Sequence, residues 1–283
     1  GVEGNSTGVV ITAGTGDANE LNGYIQDGKL PDVADADRST VNVNYLGNSG
    51  IIGDIVSGFG GLVNVISKEA DGNLYLSGNA LAANGGIANI ELGVNGTWYG
   101  RADDYGDADD GHTTFFNPAF SSQIIDNGEV NLTMGDNSTW FVQGQSWITS
   151  IDTTNAVNTT IDLVSANTDH NATAHALTIG ELKGNTIFNM SLDGDRSVSD
   201  MLYIKEAHDG EYLVNLADAV TTAEMYSDGV NTFTGLRFAT IGSGDATFRA
   251  VTYDDGFENI EYLIAQDDYA TSNENSYYNS ADG

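Results

Sequence analysis

The chain has no cysteine, 2 prolines and only 9 lysines and arginines in 283 residues. The first absence excludes disulfides, thiolate metal sites and a cysteine nucleophile together. The shortage of basic residues stands against 41 aspartates and glutamates, which leaves a net charge of -32. A field of that sign repels nucleic acid, anionic lipid and acidic polysaccharide, leaving cationic partners, neutral glycans or bridging cations. Long apolar runs are missing as well. None approaches the roughly 18 residues of a membrane span, and no basic-then-apolar leader opens the chain. The expectation is a soluble, mature fragment without direct membrane insertion.

What is present is alternation. High charge alone would suit disorder, but 40% hydrophobic residues set in alternating runs argue for a folded β protein. Phe188, Met190 and Leu192, then Leu202 and Ile204, then Tyr212, Val214 and Leu216 recur at period two, which puts each set on one face of a half-buried strand. Turn-forming stretches, DGDRSVSD and AHDG, separate them, so the segment from Gly184 to Leu216 reads as an antiparallel meander. Val41, Val43 and Tyr45, Leu74 and Leu76, Ile161 and Leu163, and Leu177 and Ile179 share the habit. The stretch from Asn215 to Asp228 alone carries a helical periodicity.

An internal repeat narrows the architecture. IELGVNGTWY from Ile90 aligns without gaps to LTMGDNSTWF from Leu132, an offset of 42 residues that matches Gly93 to Gly135, Asn95 to Asn137 and Trp98 to Trp140. Sandwich, barrel and β-helix all fit the strands alone. A period of 42 suits two coils of about 21 residues in a parallel β-helix whose rungs stack about 4.8 Å apart. Inward residues would then stack on their counterparts one rung away, and identical Asn or Thr at equivalent turns could hydrogen-bond in ladders. Trp98 and Trp140 read as rung markers, and Trp147 as packing.

These residues resemble autotransporter passenger domains. The stretch from Gly128 to Leu163 is similar to their repeating rung, and that from Leu177 to Leu216, with Gly184, Phe188, Met190, Asp200, Leu202, Ile204 and Gly210, resembles the pertactin-like C-terminal part. The resemblance implies an all-β, right-handed parallel β-helix with a C-terminal β cap of the autochaperone type. It divides the chain into an N-terminal segment of irregular structure or first rungs (1–40), rungs (41–176), a capping region (177–264) and a disordered tail or linker (265–283). Capping has a physical basis, because an open rung exposes unpaired N–H and C=O groups. A bacterial surface-displayed or secreted location follows from the same resemblance.

The search for chemistry returns little. Ser49 in GNSG lacks an oriented base, since His112, His170, His175 and His208 all lie in repeat or cap segments. The DDGH and NTDH stretches, with Asp109 and Asp169, offer carboxylates of the kind a glycan hydrolase needs, but in an order that does not suit one. Arg38, Arg101, Lys183 and Arg237 are scattered, so no basic cluster exists to neutralise a polyuronate. His170 and His175 are an odd number of residues apart, which points them to opposite faces of a strand. An acidic loop holding Asp103, Asp104, Asp107, Asp109 and Asp110 is the candidate binding element; calcium is the one ion it would take, a solvated loop being the favoured reading. The expectation is therefore a non-enzymatic adhesin without a cofactor, its partner a host surface protein, a glycan or another copy of itself. A carbohydrate-active β-helix enzyme and a non-binding stalk are the alternatives.

Overall fold

The computed structural model describes residues 9–14, 39–104, 127–164, 175–192, 199–217, 238–251, 253–254, 259–260 and 264. Among them no residue is helical. Three parallel sheets form the faces of a column. The first, of four strands, contains β1 (Val9–Ala13), β4 (Asp54–Gly58), β7 (Ala80–Ala83) and β10 (Ala102–Asp103). The second, of eight, contains β2 (Thr40–Tyr45), β5 (Leu62–Ser67), β8 (Ile87–Glu91), β11 (Glu129–Thr133), β13 (Ser146–Thr153), β15 (Ala176–Gly184), β17 (Met201–Ala207) and β19 (Ala239–Gly244). The third, also of eight, contains β3 (Asn48–Ile52), β6 (Asn73–Ser77), β9 (Thr97–Gly100), β12 (Thr139–Val142), β14 (Thr160–Asp162), β16 (Thr186–Met190), β18 (Glu211–Leu216) and β20 (Thr247–Ala250). A short antiparallel pair, β21 (Tyr253–Asp254) and β22 (Asn259–Ile260), follows.

Consecutive strands fall on different sheets while each pairs in parallel with a strand one coil away, which is the arrangement of a parallel β-helix. The core is a set of columns running through the register. In the second sheet Val43, Val65, Ile90, Leu132, Ile151, Leu182 and Ala207 lie one above another. In the third, Ile51, Leu76, Trp98, Trp140, Ile161, Phe188, Val214 and Ala250 do the same. Ile11, Ile55, Ala80 and Ala102 form the column of the first sheet. No single coil could bury its apolar stripe alone, so each depends on its neighbours.

Two expectations are corrected. The 42-residue offset is one coil, because Ile90 pairs directly with Leu132 and Trp98 with Trp140. Coils elsewhere advance the chain by 22 or 25 residues between equivalent asparagines. The long coil owes its extra length to the chain between Asp104 and Asn127. Nor is the segment from Gly184 to Leu216 an antiparallel meander: β17 pairs in parallel with β15 and β19, and β16 with β14 and β18. Period-two alternation records which face a residue occupies and carries no strand direction.

The boundary expected after residue 176 falls within β15, and the strands from there to Ala250 extend the same two sheets. Of the helical periodicity expected from Asn215 to Asp228, Asn215 and Leu216 are the end of β18, and the stretch beyond Ala217 lies outside the described residues. So do residues 265–283. In the N-terminal segment, β1 is the outermost strand of the first sheet.

Candidate functional site

With the interior filled by columns, chemistry is left to the outward positions, and the register stacks these as well. On the second sheet Asn42, Asn64, Asn89, Asn131, Ser150, Glu181, Glu206 and Ser243 form one outer column. Its first part is a hydrogen-bonded ladder. Asn64 Nδ2 donates to Asn42 Oδ1 at 2.8 Å, Asn89 to Asn64 at 2.8 Å, Asn131 to Asn89 at 3.1 Å, and Ser150 Oγ to Asn131 Oδ1 at 2.6 Å. A carboxamide is donor and acceptor at once, so identical residues can bond in series.

The third sheet repeats the device further along. Asn215 Nδ2 donates to Asn189 at 3.0 Å, and Asn189 to Asp162 at 3.0 Å. At the turns, Asn95, Asn137 and Asn158 hold φ of 54 to 56°, a left-handed conformation that asparagine tolerates better than most residues. There Asn158 Nδ2 donates to Asn137 Oδ1 at 3.1 Å.

Aromatic residues stack on both sides of the third sheet. Inside, Trp98 and Trp140 have ring centroids 4.5 Å apart and planes within 8°. Both are fully buried. Each indole N–H reaches a glycine carbonyl one coil away, Trp98 to Gly78 at 2.8 Å and Trp140 to Gly100 at 3.1 Å. A methyl group on Gly100 would run into the Gly78 carbonyl. Outside, Tyr99 and Phe141 lie 4.3 Å apart within 9°, with Tyr75 tilted beside them. Because the outer rings cover one another's faces, they offer edges to solvent rather than a platform on which a sugar ring could lie.

The acidic loop is placed in part. Asp103 is buried on β10, and Asp104 is half-buried and accepts the Thr149 hydroxyl at 2.9 Å. Both anchor the start of the long excursion to the column. Asp107, Asp109 and Asp110 lie outside the described residues, as do His112, Asp169 and His170. Ser49 Oγ donates to the Leu46 carbonyl at 3.0 Å. His175 is buried, and its Nδ1 donates to the Leu163 carbonyl at 2.6 Å. Trp147 is buried beside Thr178 of the next coil. Phe188, Met190, Leu202 and Ile204 all occupy inward positions.

Asp200 is a buried acid with a structural task. Its two oxygens accept the backbone N–H groups of His175 at 3.0 Å and Ser191 at 2.8 Å. Burial pushes its carboxyl above the usual range, and the two backbone bonds pull the other way.

In the outer column of the second sheet, β15 and β17 replace the ladder with charge. Glu181 pairs in register with Glu206, and His208 comes up beside them. His208 Nε2 lies 2.7 Å from Glu181 Oε1 and 3.6 Å from Glu206 Oε1, while Lys183 Nζ sits 2.7 Å from Glu181 Oε2. The Lys183 hydrogen bond is the main cause holding the Glu181 carboxyl below its usual range, with His208 adding to it. Sequence inspection had no route to this group, because Glu181 and His208 are 27 residues apart. The asparagine ladder did leave a signal: Val41-Asn42-Val43, Val63-Asn64-Val65, Ala88-Asn89-Ile90 and Val130-Asn131-Leu132 each set one Asn between two inward residues.

Residues 151–268 match the family model described as Pertactin. Over this stretch the chain is similar to the pertactin family, and its coils form a parallel β-helix. No curated protein and no solved structure gives a significant match to the chain. The matched segment takes in the last three residues of β13 and every strand after it, including the Glu181, Glu206 and His208 group and the Asn189 and Asn215 ladder. The earlier coils join it through unbroken register. Pertactin-type segments are parts of autotransporter passenger domains, generally non-enzymatic and displayed at the surface or secreted.

Proposed function

We propose that this chain is the adhesive part of a surface-displayed autotransporter passenger, which attaches to a host protein or a glycan. The observation that carries the reading is the pair of outer faces, where ladders of amides and hydroxyls and a stack of rings are held in register on two sheets of eight strands each. Repetition at rung spacing suits recognition of an extended partner through many weak contacts, whose avidity far exceeds any one of them. One open groove among the described residues is lined by Ala156, Val157, Asn158, Asn185 and Leu213. That suits broad contact better than enclosure of a small substrate. A net charge of -32 restricts the partner to a neutral or cationic surface, or to one bridged by cations.

The test is a binding screen of the purified chain against matrix proteins and a glycan panel, with and without calcium, paired with attachment of cells that display it. Saturable binding to a neutral or cationic target, together with added attachment, is the expected result. A chain that binds none of the panel and leaves attachment and clumping unchanged is not an adhesin, and a stalk is then the better description. Release of reducing ends from a polysaccharide would instead favour the enzyme. Clumping that needs calcium would identify the partner as a second copy, since the charge must be screened before two such rods meet.

A further inference from the structure

The group on β15 and β17 stands apart from the ladders that surround it. Glu181 and Glu206 are direct register partners, and like charges opposed across a strand pair are destabilising. Lys183 meets part of that charge at Glu181 Oε2, 2.7 Å away. His208 brings a nitrogen donor to the same point, and single ligand atoms of the three residues lie within 4.8 Å of one another.

We propose that Glu181, Glu206 and His208 form a three-ligand site for a divalent transition metal of the zinc class, with further positions open to solvent. The spacing of donors supports it. A tetrahedral zinc with bonds of about 2.0–2.1 Å sets its ligand atoms about 3.4 Å apart; His208 Nε2 lies 3.6 Å from Glu206 Oε1, and its 2.7 Å hydrogen bond to Glu181 Oε1 is the contact the metal would replace. A nitrogen beside two carboxylates also selects against calcium and magnesium, which take oxygen.

The Glu181 carboxylate and the His208 backbone are already held. Lys183 occupies Glu181 Oε2, which leaves Oε1 turned toward His208. The His208 backbone N–H donates to the Leu182 carbonyl at 3.0 Å, and its carbonyl accepts the hydroxyl of buried Tyr212 at 3.2 Å. Ligands carried on a pinned coil need little reorganisation to bind. The proposal is independent of the adhesive reading, since the site lies on the column whatever the rod attaches to.

Isothermal titration of the whole chain with zinc at neutral pH tests it, with millimolar calcium present to occupy the diffuse acidic surface. One saturable site per chain is expected. Glu206→Gln and His208→Gln, both at outward positions, should each weaken it by about tenfold or more while remaining folded, with a cooperative melt, in chelator. Cobalt should give visible absorption bands that His208→Gln abolishes. Absence of saturable uptake overturns the assignment. So does a zinc site that survives both substitutions, because it must then lie elsewhere in the chain.

Discussion

The outer column of the second sheet has two parts that share a scaffold and differ in chemistry. From Asn42 to Ser150 the side chains bond in series; from Glu181 to Glu206 they oppose like charge and draw in Lys183 and His208. The inner column beneath them is aliphatic throughout. Register is therefore set from inside, and the outer chemistry is free to change from coil to coil. Amides add to stability by stacking, whereas carboxylates stack only when a cation is supplied.

The largest expected effect asks whether the two parts share one core. In the third sheet's inner column, Trp140→Ala on a coil of the amide part and Phe188→Ala on a coil of the charged part should each cost about 3–5 kcal/mol in denaturant unfolding. A single transition in both variants supports a continuous core, and two resolved transitions would divide the column. Alkaline stability asks the same of Tyr45 and Tyr212, one in each part. Burial pushes both hydroxyls up to about 12. A folded pKa above the unfolded one gives stability that is complete below about pH 10 and lost as pH rises through 12, by up to about 2 kcal/mol for each tyrosine. Tyr45→Phe and Tyr212→Phe should each reduce that loss in melting curves between pH 9 and 12, a range bounded by the same tyrosine pKa values, roughly.

Smaller effects separate the parts by sign. Asn89→Ala removes one ladder donor and one acceptor and should destabilise by about 1–2 kcal/mol, with Asn42→Ala at the ladder's end costing about half as much. Glu206→Gln, two strands beyond the ladder, should do the reverse in metal-free protein. Relief of repulsion toward Glu181 should raise stability by a few tenths of a kcal/mol, roughly, at low salt, and the gain should vanish at high salt. A loss from Glu206→Gln in chelator would mean that both parts of the column gain from stacking.

Much of this arrangement is legible in the sequence, for identifiable reasons. Alternation such as Phe188, Met190 and Leu192 reports facing, and the paired TWY and TWF motifs report equivalent rungs, so the strands and the inward tryptophans could be anticipated, though not that the two indoles stack directly. Strand direction could not, which is why Gly184 to Leu216 suggested an antiparallel meander. The number of coils in the repeat was hidden too, since an offset of 42 is the same for two short turns and for one with an excursion. The first sheet left almost no trace: Ala80 to Ala83 is buried at every position, so its strand shows no alternation. The Glu181, Glu206 and His208 group exists only after coiling has brought together residues that are not neighbours in the chain.

The chain between Asp104 and Asn127 is accommodated without shifting the register of Ile90 on Leu132. Closing a longer loop costs little, about 0.6 kcal/mol for each doubling of length. The length of chain joining Asp104 to Asn127 can therefore be changed while the coils on either side keep their places. A lineage under pressure to alter what it shows the outside world could vary that stretch and leave its framework untouched.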